Sequence, residues 1–425
     1  MKSDNNFIYL NGLYWENKVE EIEEQIIKNK LVLKEVTKRK VGKTGPTHRI
    51  IEGDNLGGLY LLEQAGEQFD LIYIDPPYNT GNKDFKYTDT YFNTEDESRH
   101  STWSSFIYKR LVKAKNLLNE NGVIFLAIDD AEQARLKLIC DGIFGEQNFV
   151  ANFIRKNKAG SGHDSKQVAV EFDYMLCYAN NIEKLVFTQE EVDVENDSKY
   201  KFEDNFVKKR GKYYLRDLDY KGSYSKTLDY VITAPDGTKM MSGGKVGKPN
   251  TWRWGKEKFE WGIKNDFIVF KETPKGWKVY IKQYQFVDNK DQVRVRKLPH
   301  RALIDFNNSK GSNELKDILK QDIFSYPKPT DLLQFVVDLL PRKDIKVLDF
   351  FAGSGTTLHA TMLQNKLDEG IRTCTLITNN ENKICEEVTY ARNKAAIEGY
   401  ETRRNKKVLG LKNNQLKYYK IQVKK

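Results

Sequence analysis

Four consecutive residues, Asp75-Pro76-Pro77-Tyr78, follow the apolar run Leu71-Ile72-Tyr73-Ile74. They place a carboxylate, two residues of fixed φ and an aromatic ring at the end of an expected strand. A turn would account for the prolines, because Pro ends strands and Asn79-Thr80-Gly81 suits a loop. It would not account for an acid and a ring held side by side. That combination suits the handling of an exocyclic amino nitrogen on a nucleobase, whose lone pair is delocalised and whose nucleophilicity is poor. The Asp75 carboxylate and the Pro76 carbonyl can accept its two hydrogens and favour a pyramidal nitrogen. Tyr78 can stack on the face of a base taken out of its helix.

A second group lies far along the chain. Residues 347–357, VLDFFAGSGTT, read as strand, glycine loop and helix. Gly353 and Gly355 permit a tight turn and close approach of a ligand, and the helix beginning at Thr356 and Thr357 aims free N–H groups at the loop. Leu358 stands where a third glycine would complete a dinucleotide fingerprint, and no Gly-Lys-Ser/Thr follows, so a phosphate-bearing ligand is not required. The next expected strand, Thr373 to Thr378, leads to Glu381, about 26 residues after Gly355. An acid there can accept hydrogen bonds from both ribose hydroxyls. If the strands ending at Asp75 and Phe350 are neighbours, both groups share a crevice, and a methyl group on a sulfonium can be attacked in line.

The elements around these groups alternate. Strands are expected at Phe69 to Ile74, Gly122 to Ile128, Phe149 to Ile154 and Tyr174 to Tyr178. Helices are expected near Leu56 to Gln64, Phe106 to Leu118, Ala131 to Cys140 and Asp331 to Leu340. Such alternation implies a parallel sheet covered on both faces. Between about 181 and 321 the pattern gives way to short strands with interleaved aromatic and basic residues, including four of the six tryptophans, Trp252, Trp254, Trp261 and Trp277. The expected organisation is an N-terminal extension (1–45), an α/β part (46–180), an inserted β-rich domain (181–321), a second α/β part (322–400) and a basic tail (401–425).

Composition sets limits. Seventy Lys and Arg against sixty Asp and Glu give a formal charge of +10, which favours an anionic partner such as nucleic acid. The four cysteines form no C-x-x-C pair, so a metal site is not expected and buried free thiols are. With no apolar signal core and no membrane-length apolar run, a cytoplasmic protein without membrane contact is expected.

Taken together, "EGDN", "IDPPYNTGN", "GVIFLAIDD", "EFDYMLCYA", "YPKPTDLL", "DFFAGSGTT" and "NNENKICEEVTYAR" resemble, in order, the blocks of amino-methylating DNA methyltransferases that use S-adenosylmethionine. Catalytic motif, variable region, then cofactor motif is similar to the β arrangement of the adenine-specific enzymes, especially the modification (Mod) subunits of type III restriction–modification systems. The resemblance implies a Rossmann-like fold with a mostly parallel seven-stranded sheet and an inserted target-recognition domain. It implies methyl transfer to N6 of a flipped-out adenine in double-stranded DNA, with cytosine-N4 transfer, or a non-catalytic DNA-binding subunit, as alternatives. Asp75, Pro76, Pro77 and Tyr78 resemble the catalytic motif. Cofactor contacts are implied for Asp75, Asp349, Phe350, Phe351, Ala352, Gly353, Ser354, Gly355 and Thr356, with Phe351 against the methionine portion and Glu381 on the ribose. Asp54 resembles the acid on the cofactor's adenine, though it equally reads as a helix cap. Lys328 and Pro329 fall in a block resembling a cofactor-binding segment. Asp129-Asp130 read as a helix cap rather than a reacting pair. Lys208, Lys209, Arg210, Lys212, Lys245, Lys248 and Arg253 are expected to contact DNA. A homodimer is the protein partner implied, and a restriction (Res) subunit a further one; a solitary or phage-encoded enzyme without that subunit is equally compatible.

Overall fold

The protein is described as a computed structural model covering residues 7–80, 98–158, 167–221, 224–242 and 251–424. One unit comprises 1–188 with 301–425, and the other 189–300.

In the larger unit, Phe69–Ile74 (FDLIYI) forms a strand with all six residues buried. Alternation sends Leu71 and Tyr73 into one apolar layer and Ile72 and Ile74 into the other, so no position is left for a polar side chain toward solvent. Ten strands make the sheet: β1 (Leu31–Glu35), β2 (Thr47–Glu52), β3 (Phe69–Ile74), β4 (Leu118–Ile128), β5 (Phe149–Lys156), β6 (Phe172–Ala179), β7 (Leu303–Asp305), β8 (Lys346–Asp349), β9 (Thr373–Thr378) and β10 (Gln415–Val423). Their spatial order is β7-β5-β6-β4-β3-β8-β9-β2-β10-β1. The run from β4 to β10 is parallel throughout. β6 is antiparallel to β4 and β5, and β1 is antiparallel to β10.

Helices cover both faces. α1 (Asn55–Gln64), α2 (Arg99–Leu117) and α3 (Gln133–Phe144) bring Leu59, Trp103, Ile107, Leu111 and Ile139 onto one face. On the other face lie α5 (Thr330–Asp338), α6 (Thr356–Asp368) and α7 (Ala391–Glu398), which bring Leu332, Val336, Leu358, Met362 and Ala396; α4 (Asn308–Leu319) packs beside α7. Each large apolar side chain so covered contributes about 1.5–3 kcal/mol. Among the described residues no helix is long and apolar enough to cross a membrane, and all four cysteines are buried free thiols.

Three features differ from the sequence expectation. The sheet has ten strands rather than seven, because the segments read as extension, tail and inserted domain each add one: β1, β10 and β7. The "basic tail" holds β10, whose Leu416 and Tyr418 are buried beside β2 and whose residues from Tyr419 to Val423 pair with β1. The smaller unit spans 189–300 rather than 181–321, because β7 pairs with β5 and α4 packs beside α7.

The smaller unit is built on an antiparallel sheet, Tyr213–Asp217 beside Gly276–Tyr284 beside Ile268–Thr273, with a helix at Lys256–Lys264. Trp252 and Trp254 fill its core with Phe259, Phe267, Ile281 and Tyr284. The Trp252 indole N–H donates to the Tyr230 carbonyl (2.7 Å), so its one polar atom is satisfied on burial.

Candidate active site

Chain order reverses between β3 and β8. β3 is followed in space by β4 on one side, and β8 by β9 on the other. Val347 pairs with Leu71 and Leu348 with Ile72, which brings the strand ends at Asp75 and Asp349 together at the sheet's carboxyl edge. Ligands of open α/β sheets bind at such a switch point. A cleft of about 800 Å³ opens there.

Asp75-Pro76-Pro77-Tyr78 is clamped from α2. The buried Trp103 indole donates to the Pro77 carbonyl (2.7 Å). The next residue, Asn79, has left-handed backbone (φ 58°), which Asn tolerates better than most residues. Its amide donates to Glu132 (2.5 Å), a fully buried carboxylate that also meets His100 at 2.5 Å. Glu132, absent from the sequence expectations, therefore anchors the end of the motif. Asp75, Pro76, Pro77 and Tyr78 all line the cleft. Burial and the neighbouring Asp75 carboxylate push the Tyr78 phenol well above its ordinary range, so it stays a neutral ring.

The glycine loop is pinned from beneath. Gly353 and Gly355 have φ of 47° and 74°. A Cβ on Gly355 would lie 2.5 Å from the Asn393 side-chain nitrogen, so no side chain fits. The Thr389 hydroxyl donates to the Gly353 carbonyl (2.6 Å), and the Asn393 amide to that of Gly355 (3.1 Å). The buried Arg392 donates to the Thr356 hydroxyl (2.6 Å) and to Glu314 (2.8 Å). Asp349 accepts from the Phe351 N–H (3.0 Å) and the Thr357 hydroxyl (2.5 Å). Burial pushes its carboxyl up to about 7, against those two hydrogen bonds and with the Asp75 charge adding to the rise. Asp349, Phe350, Phe351, Ala352, Gly353, Ser354 and Thr356 line the cleft, with the Phe351 ring 5.8 Å from that of Phe106.

Asp54 and Glu381 reach the same cleft from β2 and β9. Asp54 caps α1, accepting from the Leu56 and Gly57 N–H groups at 2.8 and 3.4 Å, and its second oxygen lies 3.6 Å from Arg110. The cap and the cleft position thus coexist. Asp129 also lines the cleft and accepts from the Ala131 N–H (3.0 Å) ahead of α3. Burial pushes it up to about 6, and Asp130, Asp173 and Glu132 add to the rise. The Arg155–Asp173 pair lies beneath the same region, and Asp173 itself lines the cleft.

Three expected cofactor residues are placed differently from expectation. Gly355 is outside the cleft lining, with Asn393 and Thr389 against it. Pro329 is buried as the residue before α5, outside the cleft lining, where a fixed φ suits a helix start. Lys328 lines the cleft, with its amine on Asp75 at 2.7 and 2.6 Å and on the Tyr78 hydroxyl at 3.0 Å. Nothing local in the sequence marks that contact, which spans more than 250 positions.

In the smaller unit, Lys208, Lys209 and Lys212 are exposed, with Lys209 paired to Asp291 and Lys212 to Glu203. Arg253 donates to the Asp217 carbonyl (2.9 Å) and stands over Tyr220. Arg210 departs from its expected DNA-facing place. It is buried, donates to Asp291 (2.9 Å) and the Asn265 carbonyl (3.0 Å), and lies against Phe206 and Phe267. Its flat cation suits a desolvated, stacked pair better than lysine would. Lys245, Lys248, His163 and Gly160-Ser161-Gly162 lie outside the described residues.

The family pattern described as DNA methylase matches residues 69–377, spanning both motifs and the unit between them. The chain belongs to this DNA methylase family. The chain is 31% identical over 374 residues to the type III restriction-modification enzyme EcoPI Mod subunit of Escherichia phage P1, covering 78% of this chain and 57% of that one. To the StyLTI Mod subunit of Salmonella typhimurium it is 34% identical over 351 residues, covering 77% and 52%. The type II methyltransferase M.KpnI of Klebsiella pneumoniae is 30% identical over 348 residues, covering 77% and 79%. The chain therefore spans about half the length of the Mod subunits it matches.

Proposed function

We propose that the protein transfers a methyl group from S-adenosylmethionine to the N6 amino group of an adenine flipped out of double-stranded DNA, as the modification component of a restriction–modification system. The observation that carries this reading is the meeting of Asp75-Pro76-Pro77-Tyr78 and the glycine loop in one cleft at the switch point. The residues present fit the cofactor. Gly353 lines the cleft, the loop carbonyls of Gly353 and Gly355 are held from behind by Thr389 and Asn393, and the cleft falls in the ligand-sized range.

When bound, S-adenosylmethionine supplies an electrophilic methyl group on a sulfonium. Asp54 and Glu381, on the strands beyond β8, supply acceptors for the adenine and ribose ends of such a ligand. Phe351 offers an apolar face to its methionine end. Asp75 would accept a hydrogen from the target amine, which concentrates electron density on the nitrogen that receives the methyl group. The amine's surplus proton leaves toward Asp75 or solvent. Tyr78 presents its ring to the base face. Lys208, Lys209, Lys212 and Arg253 supply positive charge for phosphates. The type III relatives are named as Mod subunits, which supports a restriction subunit as a protein partner.

Expression in a methylation-deficient bacterial host, with modified bases mapped by single-molecule sequencing, tests the reading; Asp75→Ala is the control. N6-methyladenine at one short motif, absent with the variant, is the expected result. N4-methylcytosine would overturn the base assignment. Unmodified DNA alongside intact cofactor binding would overturn the activity of the isolated chain.

A further inference from the structure

The Lys328 amine sits on the carboxylate proposed above to receive the target amine. It donates to both Asp75 oxygens and to the Tyr78 hydroxyl, and stands 5.1 Å from the Tyr78 ring centroid. An ammonium has three hydrogens and here meets three acceptors within reach. Asp75 also faces Tyr73 from β3 and Asp349 from β8, and the Arg155–Asp173 pair acts on both tyrosines from β5 and β6.

The Lys328 backbone is fixed from several sides. A Cβ on Gly311 of α4 would lie 2.3 Å from the Pro327 carbonyl oxygen, so helix and segment are in close contact. The Thr356 hydroxyl donates to the Lys328 carbonyl (3.2 Å), tying it to the glycine-loop helix. Pro329 then fixes the entry to α5. Ahead of it, Tyr326 holds a left-handed φ of 56°, a conformation that persists where surrounding contacts enforce it. The segment is thus built to aim one amine at one carboxylate, although the sequence alone places Lys328 with the cofactor.

We propose that Lys328 is a positioning residue that orients the Asp75 carboxylate and the Tyr78 hydroxyl and gives up one Asp75 oxygen to the target amine as the base enters. This rests on the reading of Asp75 as the acceptor in methyl transfer. A carboxylate has about four lone-pair sites, so the amine and Lys328 can share it once the base is seated. Without the lysine, Asp75 faces Asp349 with no cation paired to it among the described residues.

The test uses the full chain with Lys328→Ala and Lys328→Met. S-adenosylhomocysteine affinity is measured by calorimetry, and single-turnover transfer on DNA carrying the mapped motif. Expected are affinity within threefold of wild type, transfer slowed at least tenfold, and at least threefold recovery of Lys328→Ala with propylammonium but not with tetramethylammonium, which lacks N–H donors. Wild-type transfer rates overturn the proposal. A parallel loss of affinity and rate returns Lys328 to the cofactor, and absent recovery also overturns the role. If wild-type protein transfers nothing, the proposed function fails separately. The pairing is then read from a double-mutant cycle of Asp75→Asn and Lys328→Met in denaturant unfolding. At least fivefold coupling in the unfolding constant supports the contact, and additivity overturns it.

Discussion

Replacing Asp349 with Asn should change how stability depends on pH more than it changes stability at any one pH. The native carboxyl titrates at about 7, whereas an unfolded Asp titrates near 3.9. Between these values the folded state holds a proton that the unfolded state has lost, so the folded state is favoured at the acid end. Its contribution is full below the unfolded value and is lost as pH rises through the native one. A separation of about three pH units corresponds to about 4 kcal/mol at about 1.4 kcal/mol per unit. For a unit of about 300 residues, with an unfolding entropy of about 2.1 cal/mol/K per residue, that is roughly 6 °C in Tm. Asn keeps an acceptor for the Phe351 N–H, and the Thr357 hydroxyl can turn to accept from its amide. Other carboxylates, including Asp129, contribute equally to both proteins and cancel in the difference. The assay is the thermal midpoint of wild type and Asp349→Asn in matched buffers from pH 4 to pH 8. The wild-type midpoint should fall relative to the variant by roughly 6 °C across that span. Parallel curves would refute the argument that burial of this carboxyl drives proton uptake.

Gly355→Ala places a methyl group 2.5 Å from Asn393 at a φ of 74°, costing about 1–3 kcal/mol of local strain, and should weaken S-adenosylhomocysteine binding at least tenfold by calorimetry. Arg210→Met removes the buried partner of a pair with the partly exposed Asp291, together with its hydrogen bonds, and should destabilise the smaller unit by about 2 kcal/mol in denaturant unfolding. DNA binding by that variant should keep the wild-type salt slope, whereas Lys208→Ala should lower the slope by about one. Glu132→Ala strips Asn79 and His100 of their shared acceptor and should cost about 3 kcal/mol, while cofactor-analogue affinity, measured in parallel, stays within threefold.

What the sequence made legible was local. The apolar run before Asp75 and the glycine loop after Val347 each declare a strand end within a few residues, and the structure brings those ends together. Thr373–Thr378 and Phe69–Ile74 fall on the expected residues because fully buried parallel strands read as continuous apolar runs. β10 is hard to read because its polar residues obscure it and its apolar alternation changes phase at Tyr418-Tyr419, where pairing with β2 is joined by pairing with β1. Arg210 was misplaced because a basic run looks the same whether its arginine faces water or stacks on Phe206. Lys328 and Glu132 owe their roles to contacts 253 and 53 positions away, and nothing in their immediate neighbours records either partner.

The position of β10 also governs the order in which the chain takes shape. β2 meets β9 on one side but waits for residues 415–423 on the other, and β1 finds its only strand partner among described residues in that same stretch. During synthesis the ribosome has emitted β1 and β2 long before β10 exists. Those two early strands keep open hydrogen-bonding edges for some 360 residues, a hazard for mispairing between nascent chains. The 189–300 unit is whole in sequence and can fold while they wait. Slow translation anywhere between β2 and β10 should therefore raise aggregation relative to translation at the normal rate.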